Sequence, residues 1–363
     1  FIIENNVFGT TPGHNDAIDF DGKSRPNPIP QIMNNIFMGG GDDALDLECD
    51  AHIEGNLFMN YIKDQLNQAS GESNVISAGA AKHYVMVRNI FYNIDHVAQV
   101  KNEAFLTFAN NTVSDTIGAG IYFELGLPGR RPGQGAYLDG NIFWNTPLAL
   151  EGIDEMTILA VNNSILPIQW HSYGVGSIDA DPVFVDPGMD FRLKAGSPAI
   201  GSGPCGLDMG AYVPAGAAIC GEPDEVTYRT DAMLTIGGPG ITHYKYSLNS
   251  EPWSEELPVD VPIQLSNLVN GQSYTVYVIG KNSAGLWQSE DEPTASRTWT
   301  IDTSYSKLVI NEVLTINSPT ADRGIISPDL IELYYDGPAT FSLSGVSITD
   351  NPDEPGKFVF TSG

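Results

Sequence analysis

Acidic side chains crowd the stretch 41–48, which reads Gly-Asp-Asp-Ala-Leu-Asp-Leu-Glu, and a second acidic stretch precedes it at 15–21. If the two stretches lie on neighbouring strands, their carboxylates are about 4.8 Å apart. Two carboxylates at that distance repel by roughly 3 to 4 kcal/mol at an effective dielectric of about 20. Calcium relieves such repulsion, because it accepts about six to eight oxygen ligands in flexible geometry. The sequence therefore predicts a Ca²⁺ site that draws on Asp16, Asp19, Asp42, Asp43, Asp46 and Glu48.

A second interpretation of the same acids stays open. The side chains can point separately into water, with Asp16 and Asp42 capping turns. The sequence does not choose between these two interpretations.

The elements that must position the acids are repeats. An Asn ahead of two residues that are mostly apolar recurs 21 to 33 residues apart, which is the period of a solenoid. Apolar and polar residues alternate within each repeat, as in strands with one face buried, and no amphipathic helical pattern persists. The pattern predicts a parallel β-helix, with insertions at 23–28, 65–79 and 128–133 that in solenoids often lie on the binding side. The repeated asparagines are Asn6, Asn35, Asn56, Asn89, Asn111, Asn141 and Asn163.

The composition limits the partners. Forty-five acidic residues against seventeen basic ones give a formal charge of −28, so nucleic acid and anionic membrane surfaces are disfavoured by repulsion. The sequence has no signal-peptide pattern and no transmembrane run, so we expect no membrane insertion in this segment. Both ends fall within strand-like sequence, and we expect an excerpt of a longer protein. Low Lys with abundant Asp, Asn, Gly, Ser and Thr is typical of secreted bacterial proteins, which predicts an extracellular or cell-surface location.

The three cysteines fall into two classes. Cys205 and Cys220 are near each other in sequence and can pair in an oxidising compartment. Cys49 falls within a repeat and is predicted to be a buried free thiol. The six histidines show no metal-ligand spacing, and each is predicted to lie in a turn or at the surface.

Three segments that follow the repeats resemble the closing part of secreted right-handed β-helix proteins of the pectate-lyase-like superfamily. These segments are Asp181-Pro182-Val183-Phe184, Gly196-Ser197-Pro198-Ala199-Ile200 and Asp208-Met209-Gly210-Ala211-Tyr212. The resemblance implies that the solenoid ends near Val213 and that these residues cover its core.

Two further resemblances lie beyond a small-residue linker. Tyr244-Lys245-Tyr246, Trp253-Ser254 and the run from Leu268 through Gly271 and Tyr274 to Val276 are similar to fibronectin type III and chitobiase C-terminal-like modules. Ile310-Asn311-Glu312-Val313, Ile331-Glu332-Leu333-Tyr334 and Leu343-Ser344-Gly345 resemble the bacterial lamin-tail domain. Leu330, Tyr335 and Val346 replace that family's Trp, Asn and Trp, which removes any ligand role for the Asn position.

These patterns together predict an all-β chain, with a right-handed parallel β-helix solenoid followed by two antiparallel β-sandwich domains. The predicted boundaries are 1–214 for the solenoid with its closing segment, 215–223 for the linker, 224–302 for the fibronectin-like sandwich and 306–363 for an incomplete lamin-tail-like sandwich.

The acidic stretch also resembles the calcium pocket of β-helix pectate lyases, on the residues Asp42-Asp43-x-x-Asp46. In that family a Lys or Arg one or two coils on removes the proton next to a uronate carboxylate, which calcium makes more acidic. The resemblance implies that Lys101, or Lys82 with Arg88, is the base. An ion pair of Lys101 with Glu103 or Asp46 is the alternative.

A polygalacturonase is a further enzyme alternative, since Asn15-Asp16 followed by Asp42-Asp43 resembles the first two acidic motifs of that family. The Gly-His-Gly and Arg-Ile-Lys motifs of that family are missing from the sequence.

Two function classes follow. The first is a non-catalytic carbohydrate-binding or structural protein, an adhesin or extracellular scaffold, whose partner is a polysaccharide or cell-envelope glycan. Tyr122 and Trp144 are its candidate sugar-stacking residues. The second is a calcium-dependent polysaccharide lyase with a Lys base. Self-assembly and the identity of the glycan stay open.

Overall fold

The computed structural model describes residues 1–20, 22, 25–63, 73–79, 83–124, 131–314 and 330–361. The chain forms two compact units. Unit 1 comprises Phe1–Cys220, Thr235–Pro262 and Tyr277–Ala295, and unit 2 comprises Gly221–Leu234, Ile263–Val276 and Ser296–Gly363. Within the described part of the chain, no helix is both long and apolar enough to cross a membrane.

Parallel strands build the first part of unit 1. In chain order the strands are β1 (Ile2–Glu4), β2 (Val7–Phe8), β3 (Ile18–Phe20), β4 (Gln31–Met33), β5 (Ile36–Phe37), β6 (Leu45–Leu47), β7 (Ala51–Glu54), β8 (Leu57–Met59), β9 (Asn74–Ala78), β10 (His83–Val87), β11 (Ile90–Ile94), β12 (His96–Val100), β13 (Phe105–Ala109), β14 (Thr112–Thr116), β15 (Ala119–Phe123), β16 (Gly135–Asp139), β17 (Ile142–Trp144), β18 (Leu148–Glu151) and β19 (Ile158–Asn162).

Every third strand joins the same sheet. Sheet A contains β1, β4, β7, β10, β13, β16 and β19; sheet B contains β2, β5, β8, β11, β14 and β17; sheet C contains β3, β6, β9, β12, β15 and β18. Each coil therefore passes through sheets A, B and C in turn. This arrangement confirms the predicted parallel β-helix solenoid.

The core of the solenoid follows from the alternation in the sequence. Leu45 and Leu47 are fully buried, whereas Asp46 between them reaches the outer face. Along sheet B, the rings of Phe37 and Phe58 stack with centroids 4.6 Å apart, and Phe58 and Phe91 stack at 5.3 Å. Such ring pairs add roughly 0.5 to 1.5 kcal/mol each beyond the burial of their area.

An asparagine ladder runs along the corner between sheets A and B. The backbone N–H of Asn56 donates to Asn89 Oδ1 at 2.9 Å, and the backbone N–H of Asn89 donates to Asn111 Oδ1 at 2.9 Å. The ladder satisfies backbone groups that would otherwise be buried without partners. Its amide members are Asn6, Asn35, Asn56, Asn89, Asn111 and Asn141.

The last rung of this ladder differs from the prediction. The sequence predicts Asn163 there, but the backbone N–H of Asn141 donates to Ser164 Oγ at 3.0 Å. The prediction is wrong by one residue, because a hydroxyl oxygen at position 164 supplies the acceptor that an amide oxygen supplies elsewhere.

A closing segment covers the far end of the solenoid. It contains a 3-10 helix at Ile168–Tyr173, strands β20 (Phe184–Asp186) and β21 (Asp190–Leu193), and a second 3-10 helix at Pro204–Gly206. Ala199 and Met209 from this segment belong to one buried cluster with Ile142 and Ile165 of the last coils. Cys205 and Cys220 form a disulfide, and Cys49 is free and buried, as the sequence predicts for that thiol.

The remaining strands confirm the predicted antiparallel part, apart from one parallel pair between β23 and β31. They are β22 (Ala218–Cys220), β23 (Val226–Thr227), β24 (Ala232–Gly237), β25 (Ile241–Leu248), β26 (Leu257–Pro258), β27 (Ile263–Leu265), β28 (Ser273–Tyr274), β29 (Val276–Asn282), β30 (Thr294–Ala295), β31 (Trp299–Ile301), β32 (Lys307–Leu314), β33 (Leu330–Asp336), β34 (Ser347–Ile348) and β35 (Phe358–Val359). Their sheet orders are β22-β24-β27, β23-β31-β28, β26-β25-β29-β30, β32-β33 and β34-β35.

Candidate functional site

The outer face of sheet C carries one continuous polar column. Asp19 of β3 pairs in register with Asp46 of β6, as the sequence predicts, and Asp46 pairs with Ser77 of β9. Neighbouring residues on these strands point into the core, so the column lies on the outer face, where Ser77 alone of its members is buried, at 1% exposure. We call Asp19, Asp46, Ser77, Gln99, Tyr122 and Glu151 the sheet C column.

Three carboxylates meet at the corner between sheets B and C, beside the start of this column. Ligand oxygens of Asp16, Asp42 and Asp43 all lie within 4.8 Å of one another, and we call these residues the acidic cluster. The next coil holds Asp43 in place, since the backbone N–H and the side-chain amide of Asn74 donate to Asp43 Oδ1 at 3.0 and 3.1 Å. His14 Nδ1 lies 3.6 Å from Asp42 Oδ2.

The cluster resists carrying its full negative charge. Burial raises the pKa of Asp43 to about 7, with a further contribution from the charges of Asp42 and Asp16 and an opposing one from the Asn74 hydrogen bonds. Burial, followed by the charges of Asp42 and Asp46, raises the pKa of Asp16 to about 6. A divalent cation would supply the missing positive charge. An all-oxygen donor set fits Ca²⁺ or Mg²⁺ better than a softer metal.

Lys101 approaches the column from its other edge, at the corner between sheets C and A. Burial raises the pKa of Asp46, and the positive charge of Lys101 opposes that shift, as does a hydrogen bond from Ser77. A Cβ built at Gly79 would lie 3.8 Å from both Lys101 Cε and Glu48 Oε1, so these two side chains approach the same point. Lys101 therefore lies beside the predicted acids.

The other two predicted bases do not join this site. Arg88 lies at the corner between sheets A and B, where Nη1 is 3.2 Å from Glu54 Oε1 and Nε donates to the Val213 carbonyl at 2.8 Å. Lys82 lies outside the described residues, as does Asp21. Glu103, an alternative partner for Lys101, forms an ion pair with Arg131 at 2.7 Å.

The two candidate sugar-stacking residues lie on different sheets. Tyr122 belongs to the sheet C column between Gln99 and Glu151. Trp144 ends β17 in sheet B and packs against the cluster that closes the solenoid. Only Tyr122 shares a face with the acids.

Two of the predicted insertions, 23–28 and 128–133, fall in connections that border sheet C, whereas the predicted insertion at 65–79 extends too far, because Asn74–Ala78 is β9 of sheet C itself. Residues 21–30 connect β3 to β4, residues 60–73 connect β8 to β9, and residues 124–134 connect β15 to β16. Each connection has one end at a strand of sheet C. The longest additions to the repeat therefore flank the sheet that carries the column.

Sequence reasoning missed two features. Asn74 is the first residue of β9 and stands directly before two apolar residues, Val75 and Ile76, as Asn56 stands before Leu57 and Phe58. This signal could have marked Asn74 as a corner residue of its coil. The histidine prediction is wrong for His52 and His96, which are 0% and 6% exposed. His52 lies between Ala51 and Ile53 inside a strand, and that position could have suggested burial.

A scan against protein-family models matched none, and no curated protein matches the chain in sequence. Geometry and chemistry alone therefore support the site.

Proposed function

We propose that the outer face of sheet C binds an acidic polysaccharide without cleaving it, and that Ca²⁺ at the acidic cluster bridges the protein and the polysaccharide. The observation that carries the proposal is the meeting of three carboxylates at the edge of an outward polar column. The protein would act as an adhesin or extracellular scaffold.

The cation has a physical reason to bind. Asp16, Asp42 and Asp43 offer three side chains, and Ca²⁺ takes about six to eight oxygen ligands, so positions stay open for sugar carboxylates. A chain with a formal charge of −28 would repel an acidic glycan, and a bridging cation removes that obstacle.

The column offers matching sugar contacts. Gln99 carries hydrogen-bonding groups and Tyr122 offers a ring face on the neighbouring strand, about 4.8 Å away. Ser77 is 1% exposed and supports the face from below, through its hydrogen bond to Asp46. The Cys205–Cys220 disulfide supports a secreted or cell-surface location, because such bonds persist in oxidising compartments.

Binding should depend on calcium and on the cluster. We expect titration calorimetry with pectate, alginate or chondroitin to show heat of binding with Ca²⁺ and none with chelator. Asp43→Asn should weaken binding tenfold or more, which corresponds to about 1.4 kcal/mol. Tyr122→Ala should weaken it as well.

Tyr137→Ala is the matched control, since Tyr137 is an exposed ring on the outer face of sheet A. Equal effects of the Tyr122 and Tyr137 changes would contradict a binding face on sheet C. A blank result with every acidic glycan would leave only a structural role.

A calcium-dependent lyase is the second candidate, and the approach of Lys101 to Asp46 and Glu48 favours it. In this alternative Lys101 takes the proton next to a uronate carboxylate, a carbon–carbon double bond forms, the bond to the leaving glycosidic oxygen breaks, and that oxygen takes a proton from water. Ca²⁺ held by the acidic cluster would make the first proton more acidic by neutralising the carboxylate. We expect growth of ultraviolet absorbance from an unsaturated product, and its loss by at least a hundredfold in Lys101→Ala. Lys194→Ala is the control, at a lysine of the closing segment. No absorbance change with any acidic glycan would exclude the lyase.

We also assign the antiparallel parts to spacer modules, on their resemblance to fibronectin type III, chitobiase C-terminal-like and lamin-tail domains. The pairing of Ile310 with Leu333 supports the last assignment, because it joins the two lamin-tail-like motifs in one sheet. A crystal structure of 224–363 would test both assignments.

A further inference from the structure

A serine, a histidine and a glutamate form a hydrogen-bonded chain in unit 1, on a different sheet from the column. Ser283 Oγ lies 2.8 Å from His52 Nδ1, and His52 Nε2 lies 2.8 Å from Glu54 Oε2. His52 and Glu54 belong to β7 of sheet A, and Ser283 directly follows β29. The fold thus joins residues 231 positions apart in the chain.

Glu54 is held as a carboxylate. Burial raises its pKa, but the His52 hydrogen bond and the pairing with Arg88 outweigh burial and keep the pKa below its ordinary value. Arg88 is itself anchored, since Nε donates to the Val213 carbonyl at 2.8 Å while Nη1 is 3.2 Å from Glu54 Oε1.

The charge of Glu54 fixes the direction of both hydrogen bonds when His52 is neutral. An ionised carboxylate can only accept, so His52 Nε2 must carry the ring proton. Nδ1 then presents its lone pair, and the Ser283 hydroxyl must donate to it. A serine that donates to a histidine whose other nitrogen is oriented by an acid is the arrangement of an activated nucleophile.

Ser283 is accessible while its base is shielded. Ser283 is partly buried and lines a cavity of about 380 Å³ together with Val85, His243 and Lys281. His52 is 0% exposed, so bulk water does not compete for its ring. Ser283 also starts a turn that the Asn282 side chain closes, by accepting from the Ala284 backbone N–H at 3.0 Å.

We propose that Ser283 is a nucleophile toward carboxylic esters small enough to enter this cavity of about 380 Å³, with His52 as general base and Glu54 as a positioning residue. Ser283 Oγ bonds to the ester carbonyl carbon, and its proton passes to His52 Nδ1. The bond from that carbon to the alkoxy oxygen then breaks, and His52 returns the proton to the leaving alcohol. Water then bonds to the acyl carbon and passes a proton to His52 Nδ1. The bond from that carbon to Ser283 Oγ breaks, and His52 returns the proton to Oγ, which releases the carboxylic acid and free Ser283.

The test is covalent labelling of the whole chain with a fluorophosphonate, read by intact mass and peptide mapping, together with hydrolysis of p-nitrophenyl acetate. We expect one adduct, on Ser283, and its absence in Ser283→Ala. Ser289→Ala is the matched control, because Ser289 is an exposed serine of the same unit, and it should label as the native chain does. No adduct, or an adduct on another residue, would overturn the proposal.

The role of Glu54 is tested by a measurement that would not change if Glu54 served only to stabilise the fold. Glu54→Gln should slow labelling at least tenfold, and Glu54→Asp, which restores the charge, should recover part of the rate. Melting curves of both variants separate folding from reactivity. If labelling follows the fraction folded and not the charge at position 54, the positioning role is wrong. Because these residues lie apart from the acidic cluster, failure here leaves the glycan-binding proposal untouched.

Discussion

At the scale of single residues, the charge of Asp43 links the acidic cluster to stability. Its folded pKa of about 7 lies above its ordinary value of 3.8, so folding disfavours the ionised form. The resulting loss in free energy of unfolding is absent at pH values below 3.8, grows as the pH rises toward 7, and is fully present above that pH. With calcium bound, the ionised Asp43 carboxylate would stabilise the folded state instead of destabilising it, since calcium binds that ionised form.

Asp43→Asn tests this link. In chelator above pH 7, we expect the variant to exceed the native chain in free energy of unfolding by about 1 to 2 kcal/mol, after allowance for solvent screening. The gain should vanish below pH 4, because the native Asp43 is then protonated. With calcium, the native chain should exceed the variant in free energy of unfolding. Urea unfolding measures all three conditions, and the exposed Asp260→Asn is the control.

Residue-level prediction from the sequence was uneven for physical reasons. Alternation within a strand decides which face a side chain takes, so the pairing of Asp19 with Asp46 was predictable. Alternation does not describe corners, so it did not indicate the hydrogen bonds from Asn74 to Asp43, and only the Asn-before-apolar repeat marks Asn74. The contact between His52 and Ser283 joins distant parts of the chain, and no local pattern encodes it.

At the scale of elements, the asparagine ladder fixes the register between coils. Each buried amide accepts from one coil and donates to another, so a single truncation leaves several groups unpaired. Asn89 is 0% exposed, and its amide donates to the Ile53 carbonyl at 2.9 Å while Oδ1 accepts from the Asn56 backbone.

Asn89→Ala should lower the free energy of unfolding by about 2 to 4 kcal/mol, because each unsatisfied buried group costs about 1 to 3 kcal/mol. Asn89→Ser should recover part of the loss, since Ser164 already serves as an acceptor in the last rung. Thermal unfolding followed by circular dichroism measures both. Equal losses for Ala and Ser would contradict the role assigned to the acceptor oxygen.

The strand pattern and the ladder were predictable because both follow from short-range periodicity. The last rung was predicted wrongly because the Ser164 hydroxyl accepts the hydrogen bond there, one residue after the predicted Asn163. Ala199 and Met209 of the closing segment pack with Ile142 and Ile165 of the last coils. The predicted boundary near Val213 stays a prediction.

At the scale of the whole molecule, the disulfide ties the second 3-10 helix to β22. Its two cysteines are 15 residues apart, and closing a loop of that size stabilises a protein by about 3 kcal/mol. Mild reduction should therefore lower the melting temperature. We expect alkylation of the reduced native chain to modify Cys205 and Cys220 and to spare Cys49, which is buried and has a pKa raised to about 11. Modification of Cys49 first would contradict the buried position.

The ladder has one more consequence. Every interior coil offers its asparagine Oδ1 to a backbone N–H of the previous coil and donates a backbone N–H to the Oδ1 of the next coil. Neighbouring coils therefore make the same hydrogen bonds and are interchangeable in this respect. Loss or duplication of a whole coil would leave matched surfaces above and below the change. Such a solenoid can lengthen or shorten in steps of one coil without a change of fold.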